Sequence, residues 1–187
     1  YFVPGNAYLV SVGDVNFKEV KKGVERLFGS WNKATAPQLS YTAPKDVQYS
    51  QINFIDTPNA VQSEIALVNL SNLKMTDKEY FSVLLANQIL GGGGEGRLFL
   101  NLREKHGWTY GAYSSIGAGK YISKFRSSAS VRNTVTDSAV VEFFNELKRI
   151  KTELVSEEDL RNAKAKYVGN FVMQIEKPST IAGYALN

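Results

Sequence analysis

Ile89-Leu90-Gly91-Gly92-Gly93-Gly94-Glu95-Gly96-Arg97-Leu98-Phe99-Leu100-Asn101-Leu102-Arg103-Glu104-Lys105-His106-Gly107-Trp108-Thr109-Tyr110-Gly111-Ala112-Tyr113-Ser114 decides how this chain is read. Four consecutive glycines cost backbone entropy on ordering, so a chain keeps them where it must turn sharply or let another group come close. After the loop, Leu98, Phe99 and Leu102 predict a short amphipathic helix ending between Lys105 and Gly107, and Thr109–Gly117 alternates as a strand. The loop either reverses the chain between two helices or presents its backbone to a ligand; two glycines suffice for the first.

Working outward, Thr76-Asp77-Lys78-Glu79 reads as a capping box, opening a helix with Phe81, Leu84, Leu85 and Ile89 on one face. Gln51–Ile55 and Gln62–Leu70 are expected strands before it, separated by Thr57-Pro58-Asn59. Lys124–Val131 is an expected strand after it. Thr134–Asp137 and Ser156–Asp159 open two further helices, and a last one starts after Pro178. At the front, Ala7–Val12 is expected as a buried strand, followed by a helix capped by Asn16 that stops near Gly29. Hairpins separated by helices, rather than strict alternation, predict an α+β fold: an antiparallel sheet with helices packed on one face. The expected division is residues 1–31 as the tail of a preceding unit, 32–49 as a linker with prolines at 37 and 44, and 50–187 as the α+β domain. The chain opens on Tyr1 without an initiator methionine and stops at Asn187 inside a helical pattern, so an excised piece of a longer protein is expected.

The 187 residues, 43% of them hydrophobic and 21% charged, describe a globular chain. Its net charge of +4 is spread over mixed-sign helix faces, which excludes a nucleic-acid stripe. No apolar run reaches the length of a membrane span. With no cysteine and a single histidine, His106, the chain has no disulfide scaffold and no self-contained catalytic zinc site. A histidine-based triad lacks its nucleophile elbow as well. His106 itself reads as a surface or helix-end residue, suited to the dipole there. Gly91-x4-Gly96-Arg97-Leu98 approaches a phosphate loop but puts Arg97 for the lysine and Leu98 for the magnesium-binding hydroxyl, after a helix instead of a strand. Nucleotide binding is thereby disfavoured.

Asn6-Ala7-Tyr8-Leu9-Val10-Ser11-Val12-Gly13-Asp14, then Phe28-Gly29-Ser30-Trp31, Leu90-Gly91-Gly92, Arg97-Leu98-Phe99, Leu102-Arg103-Glu104-Lys105 and Tyr110 together resemble the insulinase/pitrilysin family of zinc peptidases. The match covers nearly the whole chain, and its pattern is similar to processing-peptidase-like bacterial members. In that family one α+β half carries His-x-x-Glu-His, and a related half lacks it. This chain lacks that motif and so resembles the zinc-free, inactive half. The resemblance implies that Arg103 and Tyr110 reach toward the catalytic centre, and that Gly92, Gly93, Gly94 and Arg97 belong to a substrate-binding loop. It implies no cofactor in this chain, zinc in a partner half on the same parent chain or a separate subunit, and an extended peptide as substrate. A structural or scaffolding module of the same fold is the alternative. Frequent export of the family in bacteria points to a periplasmic or extracytoplasmic place.

Overall fold

The structure is a computed structural model and describes residues 2–186; Tyr1 and Asn187, the two ends noted above, lie outside the described residues. The chain divides into two compact units. One joins residues up to Thr42 with those from Val168 onward, and the other runs from Ala43 to Tyr167.

The larger unit holds a three-stranded antiparallel sheet in the order β1-β3-β2, with β1 Gln62–Ser71, β2 Thr109–Ile116 and β3 Ser123–Arg132. Ile65 pairs with Ala129, which pairs in turn with Ala112, so one face of all three strands carries small or branched apolar groups. On that face lie α2 (Tyr80–Gly91), α3 (Arg97–Phe99) and α4 (Thr136–Thr152). Leu90, Leu98, Leu102 and Phe143 fill the gap with Ile65, Ala112 and Val131, all buried. The fold is α+β with helices on one face, as the hairpin pattern predicted.

The helix ends differ in detail from the expected boxes. Asp77 accepts the N–H of Lys74 at 2.8 Å and closes a turn, so α2 starts only at Tyr80 and has no side-chain cap. Before α4, Asn133–Val135 forms a single 3-10 turn, and no side chain caps the helix. Ser156 does cap α5 (Glu157–Ile175), its hydroxyl accepting the N–H of Asp159 at 3.0 Å.

Beyond α3 the helix widens into a π turn, Leu100–Lys105, where His106 N–H reaches back five residues to Asn101 O at 3.1 Å. Gly107, at φ +62°, ends it. Asn101 ties this turn to α4. Its amide donates to Glu142 at 2.7 Å and to Glu146 at 2.8 Å.

The glycine run is explained largely by close approach. A Cβ on Gly91 would stand 2.4 Å from the Ser114 backbone nitrogen, and one on Gly96 would stand 2.8 Å from Gly91 Cα. Gly92 is closed in by Gln88, and Gly93 takes φ +135°. Backbone therefore packs on backbone, a contact that side chains would block.

In the smaller unit, α1 (Phe17–Phe28) forms behind Asn16, whose side chain accepts the N–H groups of Lys18 and Glu19 at 2.9 and 3.4 Å. Its apolar residues Phe17, Leu27 and Phe28 stay exposed, and α6 (Pro178–Leu186) likewise buries no residue. Two expectations fail. Ala7–Val12 is neither a strand nor buried, and Gln51–Ile55 is not a strand, with Ile52 96% exposed. A strand exists only through a ladder to its neighbour. Among the described residues no partner lies beside either segment, so their apolar side chains remain in solvent.

Replacing Asn101 by alanine removes two hydrogen bonds to carboxylates, one of them to the buried Glu146. A destabilisation of about 1–3 kcal/mol at neutral pH is expected in urea unfolding. The Asn101 amide, more than any other cause, holds the Glu142 carboxyl below its ordinary value of 4.5. A lowered carboxyl contributes stability above its unfolded value and loses it as pH falls through the folded one. The gap between wild type and Asn101→Ala should therefore narrow when the unfolding is repeated in acid below that range.

Candidate functional site

The outer strand β2 carries one irregularity, and it governs the site. Thr109 pairs with Val131 and Ala112 with Ala129, so three steps on β2 face two on β3. The extra residue is a bulge. Thr109 supports it: its hydroxyl donates to Ser130 O at 2.7 Å and accepts the Gly111 N–H at 3.1 Å, standing in for ladder bonds.

Plain alternation puts Tyr110 on the face of Ala112 and Ser114 and turns Tyr113 to the other side. The structure corrects this. Ala112 and Ser114 are buried, whereas Tyr110 is 86% and Tyr113 47% exposed. The bulge has moved Tyr110 off the buried face, and both tyrosines line one open cavity of about 310 Å³ with Gln62, Thr109, Gly111 and Ser130. Tyr113 lies across Gly111, where a Cβ would come within 2.6 Å of its ring.

Arg103 reaches the same neighbourhood through an aromatic relay. Its guanidinium carbon sits 4.7 Å over the Phe99 ring, one helical turn back, and Phe99 is 6.1 Å from Tyr113. Phe99 is buried, so the cation rests on a fixed face. Glu104 stands 3.6 Å from Arg103 Nε, and both side chains are partly exposed, which leaves the other guanidinium nitrogens for a ligand. A Cβ on Gly94 would stand 3.8 Å from the Phe99 ring, which sets the glycine loop beside this cluster. Gly92 and Gly93 lie behind it, toward Gln88 and Lys166. Arg97 lines a separate, larger cavity bounded by α2, α4 and α5. His106 stacks on Trp108 at 4.0 Å.

The arrangement supplies a fork of N–H donors and two phenols on an open surface, groups suited to peptide carbonyls and carboxylates. Among the described residues no set of three or more His, Cys, Asp or Glu gathers to hold a metal, and no helix is long and apolar enough to cross a membrane. Sequence reading missed Phe99, Thr109 and Tyr113. A signal for the bulge was present, because an isolated glycine inside a strand pattern, here Gly111, marks one.

The family described as "Peptidase M16 inactive domain" matches residues 1–167. The chain belongs to that family. Curated relatives include "Probable inactive metalloprotease YmfF" of Bacillus subtilis, 26% identical over 157 residues, which span 84% of this chain and 36% of that protein. An "Uncharacterized zinc protease" of Rickettsia felis is 30% identical over 186 residues, covering 95% of this chain and 42% of the relative. The chain thus spans about two fifths of the length of these relatives. Among solved structures, a peptidase M16 inactive domain from Pseudomonas fluorescens superposes with TM-score 0.78 at 24% identity, over 92% of this chain and 40% of that one. A Helicobacter pylori protease gives TM-score 0.81 at 20% identity, over 92% and 42%. These likenesses establish the M16 inactive-domain fold.

If the Thr109 hydroxyl holds the bulge, Thr109→Val should cost about 0.5–1.5 kcal/mol in thermal or urea unfolding, the ordinary net worth of a hydrogen bond. The amide resonances of Tyr110 and Gly111 should shift far more than those of Ala129 and Val131. Unchanged Tyr110 and Gly111 resonances would remove Thr109 from this role.

Proposed function

We propose that this chain is the zinc-free half of an M16 metalloendopeptidase, gripping an extended peptide while a zinc-bearing half cuts it. The observation that carries the reading is the placement of Arg103 and Tyr110. The bulge frees the phenol, Phe99 seats the guanidinium, and Tyr113 lies near Phe99 and lines the same cavity as Tyr110. Arg103 and Tyr110 then donate to the substrate carbonyl on which negative charge develops when water adds. A donor aimed at that charge lowers the barrier, because it is oriented before the reaction begins. Zinc, held by the companion half, would supply the activated water; this chain's own residues orient the peptide and bind the developing oxyanion. Gly92, Gly93 and Gly94 are the loop that the peptide backbone approaches, with Gly94 nearest to Phe99. Arg97, in its own cavity, stands apart from this surface.

Residues 1–31 are proposed as the tail of a preceding unit and 32–49 as its linker, ahead of the α+β domain at 50–187. The uncovered apolar face of α1 supports this, since a helix of that pattern normally packs against something. A scaffolding role without hydrolysis is the second reading, favoured by the inactive designation of the Bacillus relative.

The two readings separate on activity. With the zinc-bearing half supplied, Arg103→Ala and Tyr110→Phe should each lower turnover by about 10²–10³-fold, with smaller changes in KM. Turnover unchanged in both variants rejects the oxyanion role, and an assembled wild type that cleaves nothing favours the scaffold.

A further inference from the structure

A second cavity, of about 550 Å³, lies between α2, the π turn, α4 and α5, within the larger unit. Its size falls in the range of small-molecule sites, roughly 300–1,000 Å³. Two of its wall residues, Asn101 and Glu146, are more than nine-tenths buried, and each keeps one oxygen with no hydrogen bond (Asn101 Oδ1 and Glu146 Oε2). Arg97, also in the wall, has its Nη1 buried without an acceptor. Glu146 Oε2 has Arg149 Nη1 at 3.6 Å, an arginine it shares with Glu153, whereas Asn101 Oδ1 and Arg97 Nη1 have no hydrogen-bond partner. Buried polar atoms are nearly always partnered, so two such atoms at one cavity point to a missing group.

The chemistry of that group follows from which charges are already used. Lys166 is held by Glu95 at 3.0 Å, and Arg149 by Glu153 at 2.8 Å and Glu146 at 3.6 Å. Among the described residues neither Arg97 nor Lys105 has a carboxylate within ion-pair distance. A simple anion would satisfy Arg97 but would meet the carboxylates of Glu146 and Asp159. A simple cation would suit Asn101 Oδ1 and the excess negative charge of Glu146, which shares Arg149 with Glu153, but would face Arg97 and Lys105. A molecule bearing both an ammonium and a carboxylate answers both, and Ile89, Leu100 and Ala163 provide an apolar strip beside them.

We propose that this cavity binds a free aliphatic α-amino acid, its carboxylate on the Arg97 guanidinium and its ammonium toward Glu146 and Asn101. The contacting atoms are covered, so binding requires these side chains to turn toward the ligand. Apart from Arg97, which the family resemblance set in the substrate-binding loop, the inference uses none of the residues assigned to the peptide and does not rest on that reading.

Calorimetric titration of the whole chain with L-leucine tests it. Saturable binding with Kd about 1 mM or tighter is expected. 4-Methylpentanoate, which lacks the ammonium, and isoamylamine, which lacks the carboxylate, should each bind about tenfold more weakly or not at all. Arg97→Met should reduce leucine affinity about tenfold or more, and Glu146→Gln likewise. Among the described residues the Arg97 side chain makes no hydrogen bond or ion pair, so Arg97→Met is expected to keep the fold and decides the matter if Glu146→Gln does not fold. No saturable heat up to about 10 mM leucine, equal binding of either half-molecule, or an unaltered Arg97→Met titration would each overturn the proposal.

Discussion

The backbone of α2 meets the backbone of β2 at Gly91 and Ser114 with no room between them for a methyl group. Gly96 then closes on Gly91, folding the glycine loop back on itself. These two contacts set where α3 and the π turn begin, and hence where Phe99 and Arg103 fall relative to the sheet. Leu98 and Leu102 complete the register by burying fully in the core beneath. A side chain at Gly91 would push α2 off β2 and carry the rest of the segment with it.

Given that anchor, two local departures from regular structure make the surface. The π turn widens the helix through Arg103, and the bulge at Tyr110-Gly111 turns a phenol away from the core. Both forms are commonly found near functional sites, because each re-aims a side chain that regular geometry would place elsewhere. Here they act from opposite sides of Phe99 and Tyr113. The result is a set of hydrogen-bond donors on an open surface at the outer strand.

Much of this was readable in the chain. Apolar spacing located α2, α4 and α5, and strand patterning located β1, β2 and β3, because those elements bury the faces their patterns mark; α1 was legible from its Asn16 cap and α6 from Pro178, although neither buries a residue. Ala7–Val12 and Gln51–Ile55 carry strand-like patterns too, yet a ladder is a property of two segments, and among the described residues neither pairs with another. Arg103 and Tyr110 were singled out through the family resemblance; taken alone, either is an ordinary ion pair or sheet residue. Tyr110 was set on the side of Ala112 and Ser114 because period-two reasoning carries no knowledge of a bulge. Phe99 looked like core, and it is buried, but its second duty under the guanidinium depends on a turn that composition does not reveal.

The central claim is that this domain holds an extended polypeptide at the outer strand. The direct measurement is an amide NMR titration of the labelled chain with an unstructured peptide, followed by mass analysis of the peptide. The account predicts perturbations centred on Tyr110, Gly111, Tyr113 and Arg103, with the peptide recovered intact. Perturbations confined to other surfaces, or peptide cut by this chain alone, would contradict it.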